Sequence, residues 1–227
     1  MPTIELMSRE VAVVPEQTAL LVIDVQNFNC KPQGGVYRHA GLSAEAAVQQ
    51  QAYFFDCLQQ QAIPNMQRLQ QACRRQGIEV IYTVIESLTQ DGRDRSLDYK
   101  ITGFNVPKGS WDAAVIEEIQ PASDEIVFPK SSSSLFISTN VHYILGNLGI
   151  RYLIICGCLT DQCISSAVRD ACDLGYLVTL VPDACATHSL ERHTHAISHI
   201  QGYCRQRDTA ALLAELEPTT AQPPAHR

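Results

Sequence analysis

Three residues of complementary chemistry each follow a short apolar run. Asp24 interrupts the run LLVIDV near its end, Lys130 follows EIVFP, and Cys163 comes just after RYLIIC and its turn. A carboxylate inside an apolar run is costly unless it is paired or used. A cation and a helix N-terminus favour the nucleophilic thiolate, and a carboxylate can accept its proton and return it. The residue types predict nucleophilic catalysis, and they are equally compatible with a salt bridge beside a packed thiol.

The elements that must position these residues are short apolar strands that alternate with amphipathic helices. Helices are predicted over 63–75 and 163–174, and each ends next to a glycine stop signal. The strands are predicted over 19–25, 79–85, 125–128, 151–156 and 176–181. This alternation predicts an α/β fold with an open, doubly wound, mostly parallel sheet and helices on both faces. Ligands bind such sheets beyond the carboxyl ends of the strands, so all three residues are expected at one edge.

Composition limits the classes of protein that this chain can form. The 227 residues have 45% apolar content and a formal net charge of -7. They predict a single domain over 1–227, with a flexible tail over 218–227. An acidic chain offers no basic field to a phosphate backbone, so nucleic-acid binding is disfavoured. Since no bilayer-spanning apolar run and no secretion signal are visible, we expect no membrane partner and a cytoplasmic location.

Nine cysteines form an odd and dispersed set. A chain of this length needs no disulfide staples, and without a route to an oxidising compartment reduced thiols are expected. Eight of the nine are interpreted as small packing residues, and Cys30 is expected to be exposed. Cys163 differs from them because of its position at the predicted sheet edge.

The motifs around the three residues resemble the isochorismatase-like cysteine hydrolases. The resemblance runs from residue 18 to residue 205 and includes VIDVQN at Asp24, VFPKSSSSLF at Lys130 and ICGCLTDQCISSAVRDACDLGY at Cys163. It implies the same open α/β fold, assembly as a homo-oligomer (dimer or tetramer), and a catalytic triad made of these three residues.

The resemblance also implies how an oxyanion would be held. A non-proline cis peptide is expected in the turn before the nucleophile, at Cys158–Leu159. The backbone N–H groups of Leu159 and Cys163 would then form the oxyanion hole. Four hydroxyls, Ser131 to Ser134, follow Lys130 and are expected to cap the next helix and to hold the lysine in place.

Differences among branches of this family narrow the expected reaction. True isochorismatases lack the nucleophilic cysteine, and nicotinamidases add an Asp and two His as metal ligands. The corresponding stretch here, IYTVIESLTQDGRDRSLDYK, holds no histidine. The resemblance therefore points to the branch that hydrolyses ureides and N-carbamoyl compounds, and it implies neither metal nor cofactor.

The expected activity is that of an amidohydrolase acting on a small-molecule ureide and water. We predict cleavage of a C–N amide bond in a linear condensed urea of the biuret or triuret type, through a covalent acyl-enzyme that releases ammonia. The alternatives are a ureidoacrylate or N-carbamoyl-amino-acid amidohydrolase and a catalytically silent binding module of the same fold.

Four further residues are candidates for substrate binding. Phe28, just past Asp24, is expected to wall the pocket or to serve as plain packing. Glu86 ends the second strand and could accept a urea N–H or form a structural salt bridge. Arg93 lies in the polar loop DGRDRS, and Gln206 is expected to end a last short strand close to the thiol.

The histidines near the C-terminus offer a metal-dependent alternative. His195 and His199 have the i, i+4 spacing of a zinc pair on one helical face. A third ligand and a catalytic glutamate in register are missing, so a solvated or interface helix is the preferred interpretation. His188 is expected at the mouth of the pocket.

Overall fold

A six-stranded sheet, parallel throughout, forms the centre of the molecule. The structure is a computed structural model that describes residues 8–122 and 124–217. The strands are β1 Thr18–Ile23, β2 Glu79–Ile85, β3 Ile126–Lys130, β4 Tyr152–Cys158, β5 Leu177–Ala186 and β6 Arg205–Gln206. Their order across the sheet is β3-β2-β1-β4-β5-β6. The chain thus starts at the centre and winds outwards to both sides, as the predicted doubly wound fold requires.

Helices connect the strands. They are α1 Asn27–Cys30, α2 Gly35–His39, α3 Ala44–Gln50, α4 Ala52–Cys57, α5 Ile63–Arg75, α6 Leu97–Ile101, α7 Leu135–Ser138, α8 Val141–Asn147, α9 Ser165–Asp173, α10 Leu190–Ile200 and α11 Thr209–Leu216. Two segments of π-helix, Leu58–Ala62 and Thr160–Ile164, precede α5 and α9. No helix in the described ranges is long and apolar enough to cross a membrane.

The core lies on both faces of the sheet. Consecutive residues of a strand point to opposite faces, and the neighbours Leu20 and Leu21 are both 0% exposed. Two groups of helices surround the strands: α5 with α11 packs on β1, β2 and β5, whereas α9 packs on β5 together with α7 and α10. The apolar runs of the sequence form strands because only strands covered on both sides bury every residue.

The predicted elements are confirmed, with differences at their ends. The helix over 63–75 is α5, and the strand over 79–85 is β2. The strand predicted over 176–181 continues through Pro182 to Ala186, because an irregularity in the pairing of β4 and β5 between Ile155 and Gly157 accommodates the proline. The predicted tail over 218–227 lies outside the described residues.

Strand β3 is one edge of the sheet and contains a proline. Pro129 pairs in register with Val84 of β2, and the next residue, Lys130, accepts a hydrogen bond from Glu86 N at 3.1 Å. Since the backbone groups of neighbouring residues in a strand point to opposite sides, Pro129 directs its backbone away from β2. The missing N–H therefore costs the sheet no hydrogen bond.

All nine cysteines are free thiols. The expectation that Cys30 is exposed is wrong, since its side chain is only 5% exposed. Cys30 is buried because its side chain on α1 belongs to the main hydrophobic core, which also contains Cys158 at the end of β4.

Candidate active site

Asp24 is held beside the end of β1 by contacts to the neighbouring strand. Its backbone φ of 54° lies in the left-handed region, which aspartate tolerates better than most residues and which turns the side chain out of the strand path. Asp24 N donates to Thr83 O at 3.0 Å, and Thr83 Oγ1 donates to Asp24 Oδ1 at 2.7 Å. These contacts orient the carboxylate. The residue is only 1% exposed.

Lys130 reaches this carboxylate from the last position of β3, across β2. Its Nζ lies 2.8 Å from Asp24 Oδ2 and donates to Ser132 O at 2.8 Å, and the side chain is 0% exposed. Nζ and Oδ2 form an ion pair, but their geometry is not that of a hydrogen bond. Oδ2 therefore remains able to accept a hydrogen bond. The serine tract acts only partly as predicted: the Ser134 hydroxyl caps α7 by accepting from Ile137 N, but the ammonium is held by the backbone carbonyl of Ser132 and not by a hydroxyl.

Cys163 completes the group from the π-helical turn between β4 and α9. The residue is 6% exposed, and its Sγ lies 3.4 Å from Lys130 Nζ. Asp24, Lys130 and Cys163 thus meet at the carboxyl edge of the sheet, as the sequence predicts. The order of the strands explains the meeting, because Asp24 follows the central strand β1, Cys163 follows the adjacent β4, and Lys130 ends β3 on the other side, beyond β2.

The protonation states differ from those expected from the sequence. Burial raises the pKa of Cys163 to about 12. The charge of Lys130 opposes this rise, whereas the charge of Asp24 adds to it. The sequence-based expectation of a lowered thiol pKa is therefore wrong, because burial outweighs the effect of the cation. Burial lowers the pKa of Lys130, but Asp24 and Cys163 together raise it above its usual value. At rest, a neutral thiol at Cys163 therefore lies beside the ammonium of Lys130.

The turn between β4 and Cys163 has the backbone implied by the resemblance. The Cys158–Leu159 peptide is cis. Leu159 O accepts hydrogen bonds from Gln162 N at 3.0 Å and Ile164 N at 3.3 Å, which close the turn. Gly157 precedes it with a φ of 124°, and a Cβ at this position would overlap the Ile23 carbonyl of β1. Glycine is therefore required where β4 passes β1.

A cavity of about 390 Å³ opens onto Asp24 and Cys163. Its wall is largely aromatic and contains Phe28, Tyr37, Phe54, Tyr99 and Phe104. The ring of Phe28 meets that of Phe104 edge-on, with centroids 5.4 Å apart. The structure therefore places Phe28 in the wall, as one of the two sequence interpretations had it.

The other three predicted substrate contacts do not line the cavity. Glu86 accepts a hydrogen bond from Gly109 N at 2.6 Å and so ties a loop to the end of β2. Arg93 is exposed and pairs with its neighbour Asp91 at 3.0 Å. Gln206 lies on β6 at the far edge of the sheet, where its amide donates to Ile197 O at 2.8 Å. Each of these polar groups pairs with a nearby backbone atom or charged side chain outside the cavity.

Sequence reasoning missed several residues of the site. Thr83 was detectable, because it is a polar residue inside the apolar run of β2 and would face Asp24 once β1 and β2 are paired. Asn29 and Tyr99 also line the cavity. Burial raises the pKa of Tyr99, whereas Lys130 lowers it, so the phenol is neutral at pH 7. No sequence signal marks Tyr99, since it comes from a short helix in a long connection.

The late histidines take two different positions. His188 lines the cavity, as expected, and its Nδ1 lies 2.7 Å from Gln51 Oε1. Burial is the main cause that lowers its pKa. His195 and His199 share a helical face, where His199 Nδ1 contacts the His195 carbonyl oxygen at 2.7 Å. Within residues 8–122 and 124–217, no group of three or more His, Cys, Asp or Glu side chains is arranged to hold a metal ion.

The fold and the site define a class of protein, an α/β enzyme with a buried thiol, carboxylate and ammonium at the carboxyl edge of a parallel sheet. Comparison with known families is more specific: the Isochorismatase domain matches residues 18–211. The chain therefore belongs to the isochorismatase family, and it is an isochorismatase-like amidohydrolase.

Similar proteins agree with this assignment. The ureidoacrylate amidohydrolase RutB of Rhizobium rhizogenes is 30% identical over 196 residues, which cover 79% of this chain and 74% of that protein. Among solved structures, a cysteine hydrolase from Pseudomonas syringae pv. phaseolicola superposes with a TM-score of 0.76 at 23% identity, covering 92% of this chain and 96% of the other. The N-carbamoylsarcosine amidase of Thermoplasma acidophilum gives 0.65 at 23% identity, with 85% and 96% covered.

Proposed function

We propose that Asp24, Lys130 and Cys163 are a catalytic triad that hydrolyses a C–N amide bond of a small linear ureide. The observation that carries the proposal is the position of Lys130 Nζ, 2.8 Å from the carboxylate and 3.4 Å from the thiol, with all three side chains buried. A packed thiol beside a merely structural salt bridge needs no such contact, and it needs no cavity that reaches both Asp24 and Cys163.

In the first half-reaction, the raised pKa of Cys163 requires that the thiolate form as it attacks. Asp24 accepts the thiol proton, and the sulfur forms a bond to the carbonyl carbon. The N–H groups of Leu159 and Cys163 stabilise the oxyanion, and a donor of this kind is worth about 3–4 kcal/mol. When the C–N bond breaks, Asp24 returns the proton to the leaving nitrogen, and ammonia departs.

The second half-reaction regenerates the enzyme with water. Asp24, again a carboxylate, accepts a proton from water as the oxygen attacks the carbonyl carbon of the acyl-enzyme. The C–S bond then breaks, and the proton on Asp24 returns to the sulfur of Cys163. Throughout, Lys130 stays charged and stabilises whichever partner carries the negative charge, because its ammonium contacts both.

The proposed substrate is a condensed urea of the biuret or triuret type, a choice supported by the sequence motifs. Ureidoacrylate or an N-carbamoyl amino acid is the second candidate, which the names of the relatives from Rhizobium rhizogenes and Thermoplasma acidophilum favour. A cytoplasmic location is supported by the free state of all nine cysteines. Assembly as a dimer or tetramer is supported by the family resemblance.

An ammonia-release assay tests the proposal. Biuret, triuret, ureidoacrylate and N-carbamoylsarcosine are offered to the wild-type protein, to Cys163→Ala and to the control Cys172→Ala. We expect at least one compound to release ammonia with the wild type and the control, and none with Cys163→Ala, while urea unfolding shows that both variants are folded. Undiminished turnover by a folded Cys163→Ala variant would refute the mechanism.

A further inference from the structure

The charged groups around the cavity do not suit a substrate that carries a carboxylate. No lysine or arginine is among the described residues that line it. Lys130 lies behind Asp24 and is already neutralised by that partner at 2.8 Å. The side chains with an ionisable group toward the opening are Asp98, which is exposed, and His188, which burial keeps neutral at pH 7 by lowering its pKa. A substrate anion would find like charge at the opening and no free cation inside.

The aromatic wall indicates what the cavity would accept instead. Phe28 and Tyr99 belong to a small apolar cluster of their own, separate from the main core, and Phe104 packs against it. Aromatic rings prefer edge-to-face or offset contacts with other rings, and Phe28 with Phe104 already shows that geometry. A volume of about 390 Å³ falls in the range of pockets, about 300–1,000 Å³, that enclose drug-sized ligands. The space and the wall therefore suit an apolar group as well as the reacting amide.

The side-chain amide of Asn29 lies in the cavity wall in a fixed orientation. Asn29 donates through Nδ2 to the carbonyl of Asp24 at 3.1 Å, which sets the orientation of its amide. Its Oδ1 is buried and has no hydrogen-bond partner among the described residues. An unpaired buried acceptor is costly, and an N–H of a bound amide or ureide would satisfy it.

We propose that the substrate is an uncharged amide or ureide that carries an apolar, ring-sized group and no carboxylate. This inference rests on the proposed function, because it assumes that the amide reacts at Cys163; it keeps the ureide but replaces the biuret or triuret type with a ureide that bears an apolar group. The N–H groups of the ligand lie near Asn29, and its apolar group contacts Phe28 and Phe104. A carboxylate on that group would lose its hydration on entering the cavity and would gain no cation in return. Binding of a carboxylate-bearing ureide is therefore disfavoured.

The test uses a matched pair of probes, benzylurea and 4-(ureidomethyl)benzoate, which differ only by the carboxylate, with biuret as the small reference. Ammonia release by the wild type gives kcat/KM, and calorimetry with Cys163→Ala gives binding without turnover. We expect benzylurea to exceed the carboxylate by about 100-fold in both measurements, as an unpaired buried charge implies, and to exceed biuret in binding.

Two variants examine the source of the selectivity. Asp98→Asn removes the anion at the opening and should reduce the preference for benzylurea over its carboxylate by several-fold. The control Asp173→Asn makes the same charge change at the exposed end of α9 and should leave the preference unchanged. An equal shift in both variants would contradict the local role of Asp98.

Failure of the substrate inference and failure of the proposed function would give different results. If the carboxylate probe or biuret binds as tightly as benzylurea, or if no probe binds to Cys163→Ala, the inference about the substrate is overturned. If benzylurea binds selectively but none of the probes and ureides offered releases ammonia with the wild type, the proposed function fails while the selectivity of the cavity stands.

Discussion

The ion pair between Lys130 and Asp24 makes a prediction that can be worked out from its geometry. The perturbations are Lys130→Met, Asp24→Asn and the double variant, each close in volume to the original. At an effective dielectric constant of about 20, two unit charges 2.8 Å apart attract with about 6 kcal/mol. Desolvation of both ions opposes this attraction, so the pair as a whole contributes little net stability.

The single variants are expected to be far more harmful than the double variant. Removing one partner leaves the other charge buried, which costs about 3–5 kcal/mol of unfolding free energy. Removing both leaves a neutral pair of similar shape, and Thr83 can still donate to the amide oxygen of an asparagine at position 24. The sum of the two single losses should therefore exceed the loss in the double variant by at least about 3 kcal/mol.

Urea unfolding at neutral pH, followed by circular dichroism, measures the four proteins of this cycle. The exposed pair Arg93 and Asp91, whose side chains are 73% and 63% exposed, is the matched control, and its variants Arg93→Met and Asp91→Asn should show no measurable coupling. If the losses at Lys130 and Asp24 simply add, the two charges are not desolvated together, and the buried ion pair described here is refuted.

Three further predictions concern single positions. Iodoacetamide at neutral pH should label the partly exposed Cys172 before Cys163, because burial raises the pKa of Cys163 to about 12, and labelling of Cys163 should accelerate as the pH rises towards that value. Peptide mass spectrometry measures the order of labelling, and the opposite order would contradict this prediction. Gly157→Ala should lower stability in urea unfolding because its Cβ overlaps a backbone carbonyl of β1, whereas Gly146→Ala meets nothing within 4 Å and should be neutral or slightly stabilising. Thr83→Val should cost about 1.5–3 kcal/mol of stability and lower kcat through loss of its hydrogen bond to the carboxylate, with Thr83→Ser restoring both; unchanged kinetics would show that this bond does not position the base.

The sheet and the meeting of the three polar residues could be predicted from sequence for a physical reason. Apolar runs such as that of β1 can be buried only in a sheet that is covered on both faces, and the carboxyl ends of parallel strands must share one edge. Asp24, Lys130 and Cys163 are fixed by the strands that they follow. Their relation therefore survived errors of one or two residues in the strand ends.

The substrate contacts could not be predicted in the same way. The connection between β2 and β3 contains only short helices, so the position of a side chain there depends on which local partner it finds. Glu86 is held by Gly109 N, and Arg93 is held by Asp91. The thiol pKa was mispredicted for a related reason: sequence shows the neighbouring cation, but the burial that outweighs it is a property of the folded chain.

The proline at the edge of the sheet protects the molecule against strand addition. An outermost strand is a template on which another chain can build, and natural proteins blunt such edges. Because Pro129 turns its backbone away from β2, the N–H that it lacks is one that a foreign strand would have used. The residue immediately before Lys130 thus discourages aggregation at the sheet margin that bears part of the candidate site, and a valine there would restore the missing donor.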